Sequence, residues 1–468
     1  MDARLAEDMA RMPELLENVR ARAAALLSGL NDRPAAVPPA PAKPLPLPPA
    51  GIGLDDALAD FAERWEPGFS GSAGPRYLGF VTGGATPASV AGDWLTSVLD
   101  QNAAPGLDSS APDLERETIA WLRELFGIGD EHTGSFVSGA TMSNTVGLAL
   151  AREWLGEQQG ISIADAGVGA LANVTVLSGT PHSSIYKALS ILGMGRDRLR
   201  TIPTLPGREA VDVDALASAL ADLPGPAIVV ANAGTVNTVD FDDLEAIAAL
   251  RERHPFWLHV DAAFGAFAAL SPGHAHLVAG LTLADSICVD LHKWLNVPYD
   301  SAIQLTRRQD LQVRVFQNAA AYLGLPTSTP DFVHLTPENS RRLRALPAWF
   351  TLRAYGREGH RSIVERNIAQ AELLGEAISA SSSWRLLAPV HLNVACFTLA
   401  DDPTPAAINK ITQDLAAAGT TFLTPTVYAG TPALRAAFSN WRTTDADVER
   451  IAKELDAGNR HLPGNDQP

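Results

Sequence analysis

The run Ser286-Ile287-Cys288-Val289-Asp290-Leu291-His292-Lys293-Trp294 places a lysine at the end of an apolar, strand-like stretch. Burying an ammonium there is costly unless something compensates it. A second run, Phe256-Trp257-Leu258-His259-Val260, ends in Asp261 and continues into Ala262-Ala263-Phe264-Gly265. Gly134-Ser135-Phe136-Val137, Val174-Thr175-Val176-Leu177 and Ala227-Ile228-Val229-Val230-Ala231 belong to the same series, and helical patterns separate its members. Apolar strands alternating with helices specify an α/β domain on a mainly parallel sheet with helices on both faces. In that architecture ligands gather beyond the carboxyl ends of the strands, so the residue after each strand is a candidate for chemistry.

Those residues are informative as a set. After Val137, the small residues Ser138-Gly139-Ala140-Thr141 open a helical run, leaving backbone N–H groups free for an anion such as phosphate. After Leu177 comes His182, an imidazole able to stack on a flat ring and handle protons. After Ala231 come Asn232 and Thr235, which could orient a carboxylate or a phenolic oxygen, or merely cap the helix that starts near Asp242. Taken singly, Asp261 could be a helix cap and Lys293 a snorkelling surface lysine. Taken together, an amine and a carboxylate at neighbouring strand ends are what pyridoxal 5'-phosphate requires: the amine forms a Schiff base and the carboxylate pairs with the pyridinium nitrogen. His292 adds a donor beside the lysine.

At 468 residues the chain exceeds one ordinary core. The expected division is an N-terminal helical segment with a proline-rich linker over 1–84, a large α/β domain over 85–385 and a smaller α+β domain over 386–468. In the first, Leu5, Met9, Met12, Leu16, Val19, Ala23, Leu26 and Leu30 recur at helical spacing, predicting one amphipathic helix laid on its own chain or on a partner subunit. The last carries Val394–Leu399 as a strand, with helices predicted over 403–418 and 444–457. A net charge of -17 argues against nucleic acid or an anionic membrane as partner and leaves a small molecule. The mixed-charge start lacks the apolar core of a secretion signal, and no apolar run approaches the ~20 residues of a membrane span. Cys288 and Cys396 are too few for a disulfide framework or a cysteine-based zinc site, so the expectation is a cytoplasmic protein without a metal.

The segments Ser138-Gly139-Ala140-Thr141, His182-Ser183-Ser184, His259-Val260-Asp261-Ala262-Ala263, Asp290-Leu291-His292-Lys293-Trp294 and Ser340-Arg341-Arg342-Leu343-Arg344-Ala345-Leu346 resemble, in order, the group II pyridoxal phosphate-dependent decarboxylases of aromatic amino acids, glutamate and histidine. The resemblance spans roughly residues 60 to 455. It implies fold type I, and a homodimer with active sites at the subunit interface and the N-terminal segment packed across it. The activity implied is decarboxylation of an L-amino acid through a Schiff base and a quinonoid. By position it makes Lys293 the Schiff-base lysine, Asp261 the pyridinium partner and His182 the stacking histidine. Ala140, Thr141 and His292 become phosphate contacts, Ala263 lies against the ring, and Thr235 stands near cofactor and substrate carboxylate.

The pattern departs in one place. Members of the family carry, in a loop before the Ser340-Arg341-Arg342 motif, a tyrosine that returns a proton to the α-carbon. Counting back from Arg341 puts Phe332 there, which cannot donate one, with Tyr322 or His334 as substitutes. In related enzymes that replacement accompanies oxidative deamination to an aldehyde, the alternative outcome here. Phe80, Asn102 and Ala103 fall in regions that contact the substrate side chain: Phe80 could line an aromatic pocket or equally suit a core, whereas Ala103 stands where aromatic-specific members carry a larger ring, so an aromatic substrate is favoured only modestly. An aminotransferase, for which Arg435 or Arg442 could hold the α-carboxylate, a cofactor-binding protein without turnover and a module without cofactor complete the alternatives.

Overall fold

The computed structural model describes residues 1–39, 42–104, 106, 108–318 and 328–459. Its larger sheet has seven strands: β1 (Thr133–Val137), β2 (Val176–Ser178), β3 (Leu199–Thr201), β4 (Ala227–Asn232), β5 (Phe256–Asp261), β6 (Ser286–Asp290) and β7 (Ala302–Thr306). They lie in the order β1-β7-β6-β5-β4-β2-β3. The neighbours from β3 through β6 run parallel, as the helix-strand alternation requires. β7 runs antiparallel to both β6 and β1. The sequence reading did not single it out, because the buried Gln304 interrupts its apolar run. Every residue of β4, β5 and β6 is buried, which is why their sequences are continuously apolar rather than alternating.

A second, antiparallel sheet joins β8 (Trp384–Leu386), β9 (Val394–Leu399), β10 (Thr424–Tyr428) and β11 (Thr431–Ala437) in the order β10-β11-β9-β8. Helices Pro405–Ala418 and Asp445–Asn459 accompany it, within two residues of their predicted limits. Its core of Trp384, Phe397, Phe438 and their neighbours also takes in Leu78, Ala371, Leu374 and Ile378. The last three sit on the long helix Ala345–Ala380, which bends at Gly356, where φ is +58°. The far half of that helix therefore serves the smaller core although it precedes residue 386.

The single N-terminal helix of the sequence reading is two: Ala3–Ala10 and Met12–Ser28, parted at Arg11. Pro13 is the reason, since its ring is accommodated in a helix's first turn and cannot continue a preceding ladder. Leu15 and Leu30 are buried, whereas Leu5, Met9, Met12, Leu16 and Val19 stand exposed. Helix Pro87–Leu99 likewise exposes Trp94, Leu95, Val98 and Leu99. Among the described residues no helix is long and apolar enough to cross a membrane.

Candidate active site

The carboxyl ends of β4, β5 and β6 and the start of helix Ala140–Gln158 enclose a cavity of about 430 Å³. Lys293 reaches it from the one-turn helix Leu291–Trp294 directly after β6. The compensation its ammonium needs is present: Nζ lies 3.6 Å from Asp290 Oδ2 and 5.3 Å from the centre of the Phe264 ring. His292 faces the same carboxylate, with Nε2 3.0 Å from Asp290 Oδ1, while its Nδ1 accepts the Ser301 N–H at 3.2 Å.

Asp261 is the last residue of β5 and is 7% exposed. Its Oδ2 accepts the Asn144 side-chain amide at 2.9 Å and its Oδ1 accepts the Ala263 N–H at 3.2 Å. With these bonds made, Asp261 also lines the cavity. His182 caps helix Ser183–Ile191, with Nδ1 accepting the Ser184 N–H at 3.2 Å. Burial lowers the pKa of this imidazole, against the opposing pull of Asp261, and keeps the ring neutral. Helix Ala140–Gln158 starts at Gly139 without a capping side chain, so its first N–H groups are open to an anion. A Cβ at Gly139 would stand 3.4 Å from the His292 ring, so the opening stays narrow and smooth.

Ala140, Thr141, His182, Thr235, Asp261, Ala263, His292 and Lys293 all line this cavity, and Phe80 stands at its edge, 57% exposed. The Thr235 hydroxyl is committed elsewhere, donating to Glu209 Oε2 at 2.5 Å. Asn102 and Ala103 do not line the cavity. Asn102 Oδ1 accepts the Arg341 N–H at 3.1 Å, and Ala103 is fully buried. Phe332 and His334 are also elsewhere, buried on the turn Phe332–His334. Tyr322 lies outside the described residues.

The donor set fits pyridoxal phosphate: an uncapped helix start for the phosphate, a buried carboxylate for the ring nitrogen and a lysine amine for the aldehyde carbon. Residues 41–400 match the family model described as the pyridoxal-dependent decarboxylase conserved domain. The chain belongs to that family. Its cofactor is pyridoxal phosphate and its reaction is amino acid decarboxylation. The decarboxylase is 29% identical over 398 residues to the aromatic-L-amino-acid decarboxylase of Bacillus atrophaeus, covering 82% of this chain and 81% of that one. It is 28% identical over 322 residues to the L-2,4-diaminobutyrate decarboxylase of Acinetobacter baumannii, covering 65% and 63%. The TDC of Oryza sativa, solved with PLP and tryptamine, superposes with a TM-score of 0.88 at 20% identity, covering 96% of this chain and 98% of that one, which establishes fold type I.

Several residues in or behind the cavity are not singled out by the sequence. Asp290 stood inside the run that carries Lys293, and an acid within an apolar strand was its signal. Arg435, considered only as a carboxylate holder for transamination, lines the cavity and donates to the carbonyls of Val236 and Phe80, with its buried Nε unpartnered. Asn144 and His259 carried no signal, because their partners are remote in sequence.

Proposed function

We propose that this decarboxylase acts on aromatic L-amino acids, releases the amine, and works as a homodimer in the cytoplasm. The observation that carries the substrate reading is the character of the cavity mouth, where Phe80, Val81 and Val236 stand beside the Arg435 guanidinium. An aromatic side chain gains from such a surface, and a cationic side chain such as that of 2,4-diaminobutyrate meets a like charge. Asp261 and Asp290 do not offset this, since the first faces the place of the cofactor nitrogen and the second is engaged by Lys293 and His292.

Bound pyridoxal phosphate supplies a carbonyl for the substrate amine and a ring that takes up the electron pair left behind when carbon dioxide departs. The remaining work falls to the protein. Lys293 would hold the cofactor through its amine, Asp261 would hold a proton on the ring nitrogen, and the helix start, with His292 beside it, would take the phosphate. His182, neutral and fixed through Nδ1, covers the ring without adding charge. Burial of reacting groups in an apolar pocket favours loss of a carboxylate, because the charge is dispersed as the bond breaks.

The amine reading is supported by the burial of Phe332, which does not line the cavity of its own chain. It is 2% exposed, with the Arg341 guanidinium 4.7 Å and the Arg116 guanidinium 5.4 Å from its ring centre. A ring held in that way serves as a core anchor within its own chain. The homodimer reading is supported by the exposed apolar rows on helices Met12–Ser28 and Pro87–Leu99, which a second copy would cover. Cys288 and Cys396 are both buried and free, which suits a reducing compartment.

Carbon dioxide, amine and peroxide should be measured for a panel of aromatic amino acids, glutamate and 2,4-diaminobutyrate. The expected result is stoichiometric amine from an aromatic substrate. Peroxide with aldehyde overturns the product assignment, and preference for diaminobutyrate overturns the substrate assignment. Sedimentation at micromolar concentration reads the dimer, and a monomer there removes it.

A further inference from the structure

Behind Asp261, on the side away from the cavity, lies a chain of hydrogen bonds whose direction is fixed at both ends. The Trp257 indole can only donate, and its Nε1–H reaches Ser286 Oγ at 2.9 Å. Ser286 Oγ is 2.8 Å from His259 Nδ1, His259 Nε2 is 2.9 Å from Asn144 Oδ1, and Asn144 Nδ2 is 2.9 Å from Asp261 Oδ2. The Asn144 carbonyl oxygen can only accept, so His259 carries its proton on Nε2. Nδ1 is then an acceptor and takes the Ser286 hydroxyl proton, which frees the serine oxygen for the indole. The Asn144 amide is thereby forced to turn its two N–H bonds the other way. One goes to Asp261, and the other goes to Ser184 Oγ at 3.1 Å. Ser184 Oγ in turn lies 2.7 Å from His182 Nδ1, leaving the His182 proton on Nε2.

The surroundings are built for this ring. His259, Asn144 and Ser286 are fully buried, and burial pushes the His259 pKa down to about 4, so the imidazole is neutral through the physiological range. A Cβ at Gly147 would stand 2.7 Å from the His259 ring and 3.1 Å from Ser286 Oγ. Glycine on helix Ala140–Gln158 is therefore what lets the imidazole lie against it. A buried polar chain with every member satisfied is rigid, and polarisation along it strengthens the terminal bond to the carboxylate.

We propose that His259 and Asn144 are positioning residues for the reaction: the imidazole locks the orientation of the Asn144 amide, which aims the Asp261 carboxylate and, through Ser184, reinforces the acceptor state of His182 Nδ1 that the Ser184 N–H already sets. The two groups that would bracket the cofactor ring are thus linked through one amide. This rests on the reading that Asp261 meets the ring nitrogen.

The test uses full-length His259→Phe, Asn144→Leu and His259→Gln, the last retaining an N–H for Asn144. For His259→Phe and Asn144→Leu, kcat falls about tenfold or more and the coenzyme dissociation constant rises by a similar factor, as expected for losing a hydrogen bond to a charged group. KM for the amino acid stays within about twofold, and His259→Gln recovers most of the loss, since the hydrogen-bond donor is restored. Unchanged kcat and coenzyme affinity in His259→Phe, or equal losses in the Gln and Phe variants, overturn the proposal. The unsubstituted protein gives a second answer that does not depend on variants folding. Histidine 15N spectra of apoprotein and holoenzyme should show His259 and His182 neutral and protonated at Nε2, and an Nδ1–H or doubly protonated His259 overturns it. Borohydride trapping on the same samples separates the two ideas: a pyridoxyl adduct missing from Lys293 in the unsubstituted enzyme sinks the cofactor assignment itself, whereas an adduct with insensitive variants sinks only the relay.

Discussion

Two buried charged clusters lie against the larger sheet, and only one of them opens on the candidate cofactor cavity. Around Asp261, His182 and Lys293 each side chain is held from behind and turns a polar group to the cavity. Around Glu115 and Arg341 the pairing is closed. The guanidinium donates to both carboxylate oxygens at 2.9 Å and to the Phe136 carbonyl at 3.1 Å, and Glu115 Oε1 also accepts the Phe136 N–H at 3.0 Å. Both side chains are fully buried and neither lines the cofactor cavity. Burial pushes the Glu115 carboxyl up and Arg341 pulls it back, the signature of a pair that neutralises itself. A buried charge is therefore weak grounds for chemistry; a buried charge with a direction left over is strong grounds.

Substitutions can break this contrast. Lys293→Ala should abolish turnover, by at least about a thousandfold, since a covalent contact has no substitute. Its melting temperature without coenzyme should stay near that of the unsubstituted protein, and retained turnover would remove Lys293 from the mechanism. Arg341→Leu should do the reverse. It leaves Glu115 buried without its partner and should cost about 3–5 kcal/mol in denaturant unfolding, while the fraction that remains folded still binds coenzyme. Loss of coenzyme binding with unchanged stability would make the closed cluster part of the site.

Acid should act on stability through two buried histidines, one behind Asp261 and one on the long helix Ala345–Ala380. His259 and His360 each have a pKa pushed down by burial to about 4 from 6.5. The unfolded chain takes up protons near 6.5 and the native chain does not until about 4, so falling pH favours unfolding across that window. The contribution is fully present above pH 6.5 and costs about 3 kcal/mol per histidine once lost. Denaturant midpoints between pH 7 and 4 should fall accordingly, and less steeply in His360→Gln. A flat profile would mean that the rings are not buried neutral.

The smallest effect is expected at Phe332. Phe332→Leu removes a ring stacked between two guanidinium groups and should cost about 1–2 kcal/mol. Phe332→Tyr and Phe332→Leu should leave the ratio of amine to aldehyde unchanged, and a shift in that ratio would bring position 332 back to the reacting carbon.

How much of this was legible depends on the range of the interactions. β4, β5 and β6 could be read because burial on both faces writes a continuous apolar run, and Asp261 and Lys293 could be read because each interrupts the end of one. β7 could not, since its buried Gln304 is satisfied only by tertiary partners such as the Gln312 amide at 3.2 Å. Phe332 is a different case. Counting from Arg341 sets it on a loop, and the packing of its ring also depends on Arg116, far away in the chain.

The sequence alone determined the class of chemistry, because strand ends, a small-residue helix start and two charged residues in apolar runs are local signals of a parallel sheet with a ligand at its rim. The tertiary structure alone decided which charges line one cavity, which carboxylate stands beside Lys293, and that Asp261, Asn144 and His259 are joined by hydrogen bonds. The physical reason is that burial cost is written into each strand one residue at a time, whereas a hydrogen bond's direction exists only after distant segments meet.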